Sequence, residues 1–462
     1  MENYDLIVIG SGAGLNIVSS AVSSGMKVAL AENGPMGGTC LNRGCIPSKM
    51  WIYPADVVRQ IEDGARVGIE AKLEKMDFEL VRQRTWDSVL KERNAIDKAI
   101  KEDPDVTSIR DIVRFVGEKT LEASDRTISA PRIVIASGAR SIIPPITGLE
   151  DVDYQTSETI FNIETLPKSL IIIGGGYKGC EFGHFFSAFG SDVTILQRNP
   201  RLLSNEEPEI SSAVMRKLGK HVKIRTAHDA QEIRKNNGKI EVISHDKVKD
   251  EDIHDEAEML LLVAGVKSNA DWLDTATTGV ELDDRGYIKV NEYLETTAPG
   301  IWALGDIIGR YMFRHTANYE SQLAWHNMMS DHKASLDEHA VPHAVYTYPT
   351  VGSVGLTEDE IKREKLKYLV GYSFYSQVAR GTAMANDHGV VKILVEAETR
   401  RILGAHIAGP EADQLVQQVV YLMNAEDGGY MPMARSQVTH PSLSEVVVRA
   451  FSALDEPGAH NH

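Results

Sequence analysis

Gly37-Gly38-Thr39-Cys40-Leu41-Asn42-Arg43-Gly44-Cys45-Ile46-Pro47-Ser48-Lys49 is the stretch that decides the fold, and it holds two of the chain's three cysteines. Cys40 and Cys45 stand five positions apart. On an ideal helix that spacing separates the two Cα atoms by roughly 8.6 Å, from a rise of about 7.5 Å and the standard radius. A disulfide tolerates at most about 7 Å. If the two pair, the segment is not a regular helix throughout. Gly44 accepts backbone angles that other residues avoid, and Pro47 has no N–H to donate back to Arg43. The expected shape is a broken helix start. Helix N-terminal N–H groups are expected to lower a thiol pKa there.

Upstream, Asp5-Leu6-Ile7-Val8-Ile9 is an apolar run ending in Gly10-Ser11-Gly12-Ala13-Gly14. It reads as a buried parallel strand turning into a helix that runs from Leu15 to about Ser24. The next strand, Lys27 to Ala31, ends at Glu32, where a carboxylate binds a ribose hydroxyl. The pattern G-x-G-x-x-G wants glycine at 15, and here Leu15 stands there with Gly14 one place early. A cleaner copy follows downstream: Leu170-Ile171-Ile172-Ile173, then Gly174-Gly175-Gly176-Tyr177-Lys178-Gly179, then a helix with Glu181 and Phe185. Each unit sets a pyrophosphate on a helix N-terminus. The second unit's strand, Asp192 to Leu196, closes at Gln197-Arg198. A carboxylate at 197 would bind the 2′-hydroxyl of NAD. Gln197 has no charge to repel a 2′-phosphate, and Arg198 and Arg201 can pair with one, which points to NADPH.

Residues 51–118 are expected to be mostly helical, with a charged amphipathic run from Glu92 to Lys101 and a turn at Asp103-Pro104-Asp105. Residues 119–135 read as a small β excursion. Residues 221–263 read as strands with a polar hairpin near Asn236-Asn237-Gly238. From about 337 an alternating β region begins at Val345-Tyr346-Thr347-Tyr348-Pro349 and Val354-Gly355-Leu356-Thr357. It continues through Val390 to Glu396 and Ile402 to Ile407, followed by an apolar helix from Leu415 to Met423. The tail from Asp455 to His462 is polar and expected to be loose. The fold class is α/β: two Rossmann-like three-layer nucleotide-binding domains plus a C-terminal α+β domain.

The chain's 462 residues suit two or three domains. With 49 basic and 66 acidic residues the net charge is −17, which argues against nucleic acid or an anionic membrane as partner. No basic leader precedes the first strand, and no apolar run reaches the ~18 residues a membrane span needs, so a cytoplasmic location is expected. Three cysteines do not make a structural disulfide framework. Among the 15 histidines, including His460 and His462 in the tail, no metal-ligand spacing stands out.

The cysteine segment resembles the redox-active segment of the flavin-dependent pyridine nucleotide–disulfide oxidoreductases, the family of dihydrolipoyl dehydrogenase, glutathione reductase, mycothione reductase and mercuric reductase. Other stretches are similar too. Ala136-Ser137-Gly138 with Pro144-Pro145 resembles the family's A-T-G exit from the FAD domain. Ala264-Gly265-Val266-Lys267-Ser268-Asn269 resembles its G-R-x-P-N exit, with Val266 and Ser268 changed. Thr296 to Asp306 resembles its second FAD motif, and Phe313 to Glu320 the helix under the flavin. Thr439-His440-Pro441-Ser442-Leu443-Ser444-Glu445 resembles its H-P-x-x-x-E signature.

The resemblance implies that FAD is held by Gly10, Gly12, Gly14, Glu32, Gly38, Thr39, Ser137, Gly138 and Asp306. NAD(P)H would be held by Gly174, Gly176, Tyr177, Gly179, Gln197, Arg198 and Gly265, with Tyr177 gating the nicotinamide pocket. Electrons would pass from nicotinamide through flavin to a Cys40–Cys45 disulfide. Cys45 is then the thiol next to the flavin, and Cys40 the exposed one that attacks substrate. His440, oriented by Glu445, would be the acid–base, reaching the other subunit's active site. Lys49 and Glu181 match an ion pair beside the flavin, where a lysine favours negative charge on the reduced ring. The implied domains are FAD-binding 1–148, NAD(P)-binding 149–270, FAD-binding or central 271–336, and an interface domain 337–462 that forms a homodimer. Lys178 replaces a usual aliphatic for no reason visible in the sequence, and Cys180 reads as a small buried apolar side chain.

The Cys40 to Lys49 and His440 to Glu445 wording is most like dihydrolipoyl dehydrogenase, which uses NAD, and this is the first reading, with the others as alternatives; a lipoyl group would then sit on a partner protein, since no lipoyl domain is present. Arg198, Arg201 and the 313–320 segment are more like an NADPH-linked reductase of a small disulfide such as mycothione or glutathione. Mercuric reductase needs a further cysteine pair near the C-terminus, and none follows Cys180. A flavoprotein that is mainly an electron-transfer or structural subunit is the remaining alternative; intact Cys40, Cys45 and His440 count against it.

Overall fold

The structure is a computed structural model that describes residues 1–458, so the tail histidines His460 and His462 lie outside the described residues. The chain divides into two compact units. One comprises residues 1–48, 82–142 and 265–337, the other, among the described residues, 49–81, 143–264 and 338–458.

The first unit is built on a parallel five-stranded sheet. Its order is Ile301–Ala303, Arg132–Ile135, Leu6–Ile9, Val28–Ala31 and Val106–Ile109. The central strand Leu-Ile-Val-Ile is buried on both faces, as a continuous apolar run in a parallel sheet should be. Each such side chain contributes about 1.5–3 kcal/mol on burial. Helices Gly14–Ser23 and Arg314–Met329 share one core with the sheet, through Ile17, Val18, Ala21, Ala317, Leu323 and Ala324. A smaller four-stranded sheet contributes Phe115, Leu121 and Ile128 to the same core. The two exit segments pair with each other: Ala139–Ser141 runs antiparallel to Val266–Ser268.

The second unit holds a parallel five-stranded sheet, in the order Gln155–Thr156, Met259–Leu262, Ser169–Ile173, Asp192–Gln197 and Lys223–Thr226. A three-stranded antiparallel sheet follows. Its hairpin turns at Asn237 and Gly238 with φ of 49° and 81°, the left-handed pair that a two-residue turn requires. The C-terminal part is an antiparallel sheet in the order Pro342–Val345, Val351–Gly355, Ile402–Ala408, Val390–Glu396 and Tyr368–Phe374. Helices Ala412–Met423 and Ser444–Ser452 pack against it, burying Leu415, Val419, Val447 and Phe451. The α/β class and the α+β C-terminal part agree with the sequence reading.

Residues 51–118 are mostly helical, as expected, in Cys45–Asp63, Gly64–Val67 and Phe78–Glu102, with Val106–Ile109 and Arg114–Gly117 added as strands. Asp103 and Pro104 end the helix, and the β-branched Val106, Thr107 and Ile109 then pair with Val28, Ala29 and Ala31. Residues 346–349 are not strand but the turn between Pro342–Val345 and Val351–Gly355, because Pro349 has no N–H for the ladder.

Candidate active site

In the first unit the glycine loop and the cysteine segment meet backbone to backbone. Gly10 has φ +103°, and a Cβ there would lie 2.2 Å from the Ala136 carbonyl oxygen. Gly38 has φ +69°, and its Cβ would lie 2.6 Å from the Cα of Gly12. The third glycine's task falls to Gly14, whose Cβ would lie 2.8 Å from a Val8 methyl; Leu15, one step on, is half-buried. So the departure from G-x-G-x-x-G leaves the helix close to its strand. Ser11 ties the parts together: its hydroxyl donates to Glu32 Oε2 at 2.7 Å and accepts the Gly37 N–H at 3.0 Å. Glu32 also accepts the N–H groups of Ser11, at 2.9 Å, and Gly34, at 2.7 Å. Fixed this way at the end of its strand, it is placed to meet a ribose. A cradle this narrow, open to helix Gly14–Ser23, fits a dinucleotide pyrophosphate.

The cysteines sit on two helices, Gly38–Arg43 and Cys45–Asp63, separated by Gly44 at φ −140° and ψ −116°. A Cβ on Gly44 would lie 2.9 Å from the Thr39 carbonyl oxygen. Pro47 falls in the first turn of the second helix, where its missing N–H leaves nothing unmet. Thr39, in the first helix, is exposed. The two sulfurs are thiols hydrogen-bonded to each other. That bond and burial push the Cys40 thiol pKa up, against the expected lowering; the charge of Arg314 opposes the rise. A second anion next to the first sulfur outweighs any help from helix N–H groups. In the single chain, without cofactor or partner, Cys45 is exposed and Cys40 half-buried. Cys40 lies inside the short helix, whereas Cys45 opens a new one beyond the break.

Asn42 was not singled out from sequence, yet it holds the segment. Its amide donates to the carbonyls of Met36 and Gly38, each at 2.9 Å, and its carbonyl accepts Arg93 Nε at 2.7 Å. A lone buried amide between two cysteines was the only available signal. Asp306 follows Gly305, which has φ +77° and whose N–H donates to Glu320 Oε2 at 2.6 Å. The Ser137 carbonyl accepts the Asn269 amide at 2.8 Å, and the Gly138 carbonyl the Asn269 N–H at 3.2 Å. Gly265, expected at the nicotinamide site, falls in this first unit and accepts the Ile142 N–H at 3.0 Å.

The second unit repeats the cradle. A Cβ on Gly174 would lie 2.5 Å from the Val263 oxygen, and one on Gly179 would lie 1.9 Å from the Gly174 oxygen, so both are packing glycines. Gly176 has open space around it, the condition for close approach of a phosphate. Gln197 is buried, and its amide donates to the Arg201 carbonyl at 3.3 Å; Arg198 is exposed and Arg201 half-buried. Tyr177, at the helix start, is 44 % exposed. Lys178 has a reason in three dimensions, donating to the Ser157 hydroxyl at 3.0 Å. Cys180 is fully buried, its sulfur 3.8 Å from the Gly175 oxygen.

Lys49 Nζ stands 3.0 Å from both carboxylate oxygens of Glu181 and 4.4 Å from the centre of the Tyr346 ring. The Tyr346 N–H donates to Glu181 Oε1 at 3.0 Å, so one residue orients both ends of the pair. His440 Nδ1 lies 2.8 Å from Glu445 Oε1, and the Ser442 N–H donates to Glu445 Oε2 at 2.9 Å. The His440 bond, first, and the Ser442 N–H hold the Glu445 carboxyl below its ordinary range. With Nδ1 engaged, Nε2 is the nitrogen available for proton exchange. His440 is 70 % exposed.

Residues 4–321 match the family model described as pyridine nucleotide-disulphide oxidoreductase, and residues 341–451 match that family's dimerisation domain. The chain is 34 % identical to mycothione reductase of Mycobacterium tuberculosis, over 98 % of this chain and 100 % of the other. It is 30 % identical to dihydrolipoyl dehydrogenase of Thermus scotoductus, over 100 % of this chain and 99 % of that one. Among solved structures, the Cu(II) complex of the HOCl-induced flavoprotein disulfide reductase RclA from Escherichia coli superposes with a TM-score of 0.86 at 27 % identity, covering 98 % of this chain and 99 % of that one. No helix among the described residues is long and apolar enough to cross a membrane.

Proposed function

Because the chain belongs to the pyridine nucleotide-disulphide oxidoreductases, flavin-dependent enzymes that use FAD and NAD(P)H, we propose that it works as a homodimer and reduces a low-molecular-weight disulfide with NADPH. Residue 197 carries this reading. It ends the strand at which a carboxylate would hold the 2′-hydroxyl of NAD, and it is an inward-turned amide with exposed Arg198 next to it. A 2′-phosphate meets no like charge there and has guanidinium groups within reach along the chain.

Gly10, Gly12, Gly38, Glu32 and Asp306 would hold FAD, which when bound would supply two-electron chemistry between nicotinamide and sulfur. The rest is the work of this chain's residues. His440 Nε2 takes the proton of the Cys40 thiol, and Cys40, as thiolate, attacks one sulfur of the substrate disulfide. That S–S bond breaks, its electron pair leaves on the outgoing sulfur, and His440 Nε2 delivers the same proton to it. Cys45 then attacks Cys40 in the mixed disulfide, releasing the second thiol and closing the Cys40–Cys45 bond. Two substrate thiols appear as two protein thiols are oxidised. Glu445 keeps the imidazole in the tautomer that presents Nε2. Lys49, held by Glu181 and Tyr346, favours the negative charge that builds during reduction.

The full-length likeness to a dihydrolipoyl dehydrogenase favours a second reading, in which the same residues run in reverse with NAD and a dihydrolipoyl dithiol. Steady-state rates with mycothiol disulfide, glutathione disulfide and lipoamide, each with NADPH and NADH, separate the two. The proposal expects kcat/KM at least tenfold higher with NADPH, a difference of about 1.4 kcal/mol, and turnover of a small disulfide. Preference for NADH with lipoamide as best substrate would overturn it.

A further inference from the structure

Arg314 opens the helix Arg314–Met329. That helix is docked on helix Gly14–Ser23 by Asn16, whose amide donates to Asn318 Oδ1 at 3.2 Å and to the Ser321 hydroxyl at 2.9 Å. The docking carries the Arg314 guanidinium to the glycine cradle. Its Nη1 lies 3.8 Å from the point where a Cβ on Gly12 would sit, and that same point is 4.0 Å from the Cα of Gly38. Arg314 is half-buried. Among the described residues it has no carboxylate within ion-pair distance and no hydrogen-bond acceptor; its charge acts on Cys40. In a chain with 66 acidic side chains, an unpaired guanidinium held against a bare glycine loop is an arrangement selected for a ligand's charge rather than for a protein partner. A planar fork beside backbone N–H groups suits two phosphate oxygens.

We propose that Arg314 is a ligand of the dinucleotide's pyrophosphate, adding one side-chain cation to the backbone donors of the Gly10–Gly14 loop. The proposal rests on FAD as cofactor and not on the choice of disulfide or of NADPH. Arg314 thereby links the cradle to Cys40: paired with phosphate, it has less positive field left for that sulfur.

The full chain is stripped of flavin and titrated with FAD, with ADP and with adenosine, for the natural protein and for Arg314→Met and Arg314→Lys. FAD and ADP are expected to bind at least about tenfold more weakly to the methionine variant, the loss of one charge-assisted hydrogen bond. The lysine variant, keeping the charge without the fork, recovers part of that loss, and adenosine, lacking phosphate, binds equally to all three. FAD and ADP affinities within twofold of the natural protein in Arg314→Met would overturn the proposal. So would an equal loss for adenosine, which marks a distorted pocket. If the methionine variant fails to fold by circular dichroism, Arg314→Gln is read in the same titration against the same two criteria.

Discussion

Gly38 stands so close to Gly12 that no other side chain fits between the cysteine segment and the glycine loop; a Cβ on Gly38 would lie 2.6 Å from the Gly12 Cα and 3.0 Å from its nitrogen. Gly38 also has φ +69°, a conformation that L side chains rarely take. Both obstacles fall on the dinucleotide cradle. Gly38→Ala is therefore expected to yield protein with little bound flavin, visible as a lost absorbance near 450 nm relative to 280 nm, and a lower thermal midpoint. A yellow Gly38→Ala protein with full flavin content would show that the loop and the segment separate freely. Gly286→Ala is the control: φ is +83° there too, but nothing lies within 4 Å of its Cβ. It carries the backbone penalty alone, about 1 kcal/mol, and should keep its colour.

The His440–Glu445 pair makes a prediction about pH as well as rate. His440→Gln should lower disulfide turnover by roughly 10²–10⁴-fold, the usual worth of a positioned acid–base, while leaving NAD(P)H-driven reduction of a one-electron acceptor such as ferricyanide near normal. Glu445→Gln should do the same to a smaller degree, because the imidazole loses its orienting anion. The Glu445 carboxyl is held below its ordinary value, chiefly by the His440 bond. The sign follows: the carboxylate persists as pH falls through the ordinary glutamate range, so the dyad stays assembled in mild acid. The acid limb of the pH–rate profile should thus disappear with His440→Gln, not merely shift. An unchanged acid limb in that variant would assign it to another group.

Much of this was legible in the sequence because it is local. Gly174 to Gly179 and Gly10 to Gly14 announce strand–turn–helix units by spacing alone, and Asn237-Gly238 announces its hairpin by turn chemistry. The break at Gly44 followed from the distance two cysteines must span. What stayed hidden depends on residues far apart in the chain. Arg314 meets Gly12 some three hundred positions away; the resemblance sets the helix of Phe313 to Glu320 under the flavin, but the local wording does not give that contact. Strand Val106–Ile109 follows a charged helix of 25 residues and gains its identity from pairing with Val28–Ala31. The rise in the Cys40 pKa needed the position of a second sulfur, which local reasoning about a helix start leaves out.

Lys392 is the most consequential of the residues with no sequence signal. It is fully buried on strand Val390–Glu396, where alternation calls for an apolar side chain, and its Nζ meets three carboxylates: Glu207 at 2.8 Å, Glu209 at 3.1 Å and Glu358 at 2.6 Å. Glu207 caps, and Glu209 lies in the first turn of, helix Pro208–Leu218, so one ammonium joins that helix to the C-terminal sheet within the second unit. Lys392→Met keeps the volume and removes the charge, leaving three carboxylates facing one another. The loss expected is about 3–5 kcal/mol, the cost of breaking a buried ion pair from one side. Burial alone would raise the Glu358 carboxyl, but Lys362 and Lys392 bring it down to about 2, from an ordinary 4.5. In the natural protein Glu358 therefore contributes stability above pH 4.5 that fades as pH falls toward 2. In the variant the crowded carboxylates bind protons more readily, and protonation relieves them. The gap in thermal midpoint between the two proteins, measured at one scan rate, should accordingly narrow from pH 7 to pH 5. A gap that stays constant or widens over that range would mean the ammonium is not what holds these acids together.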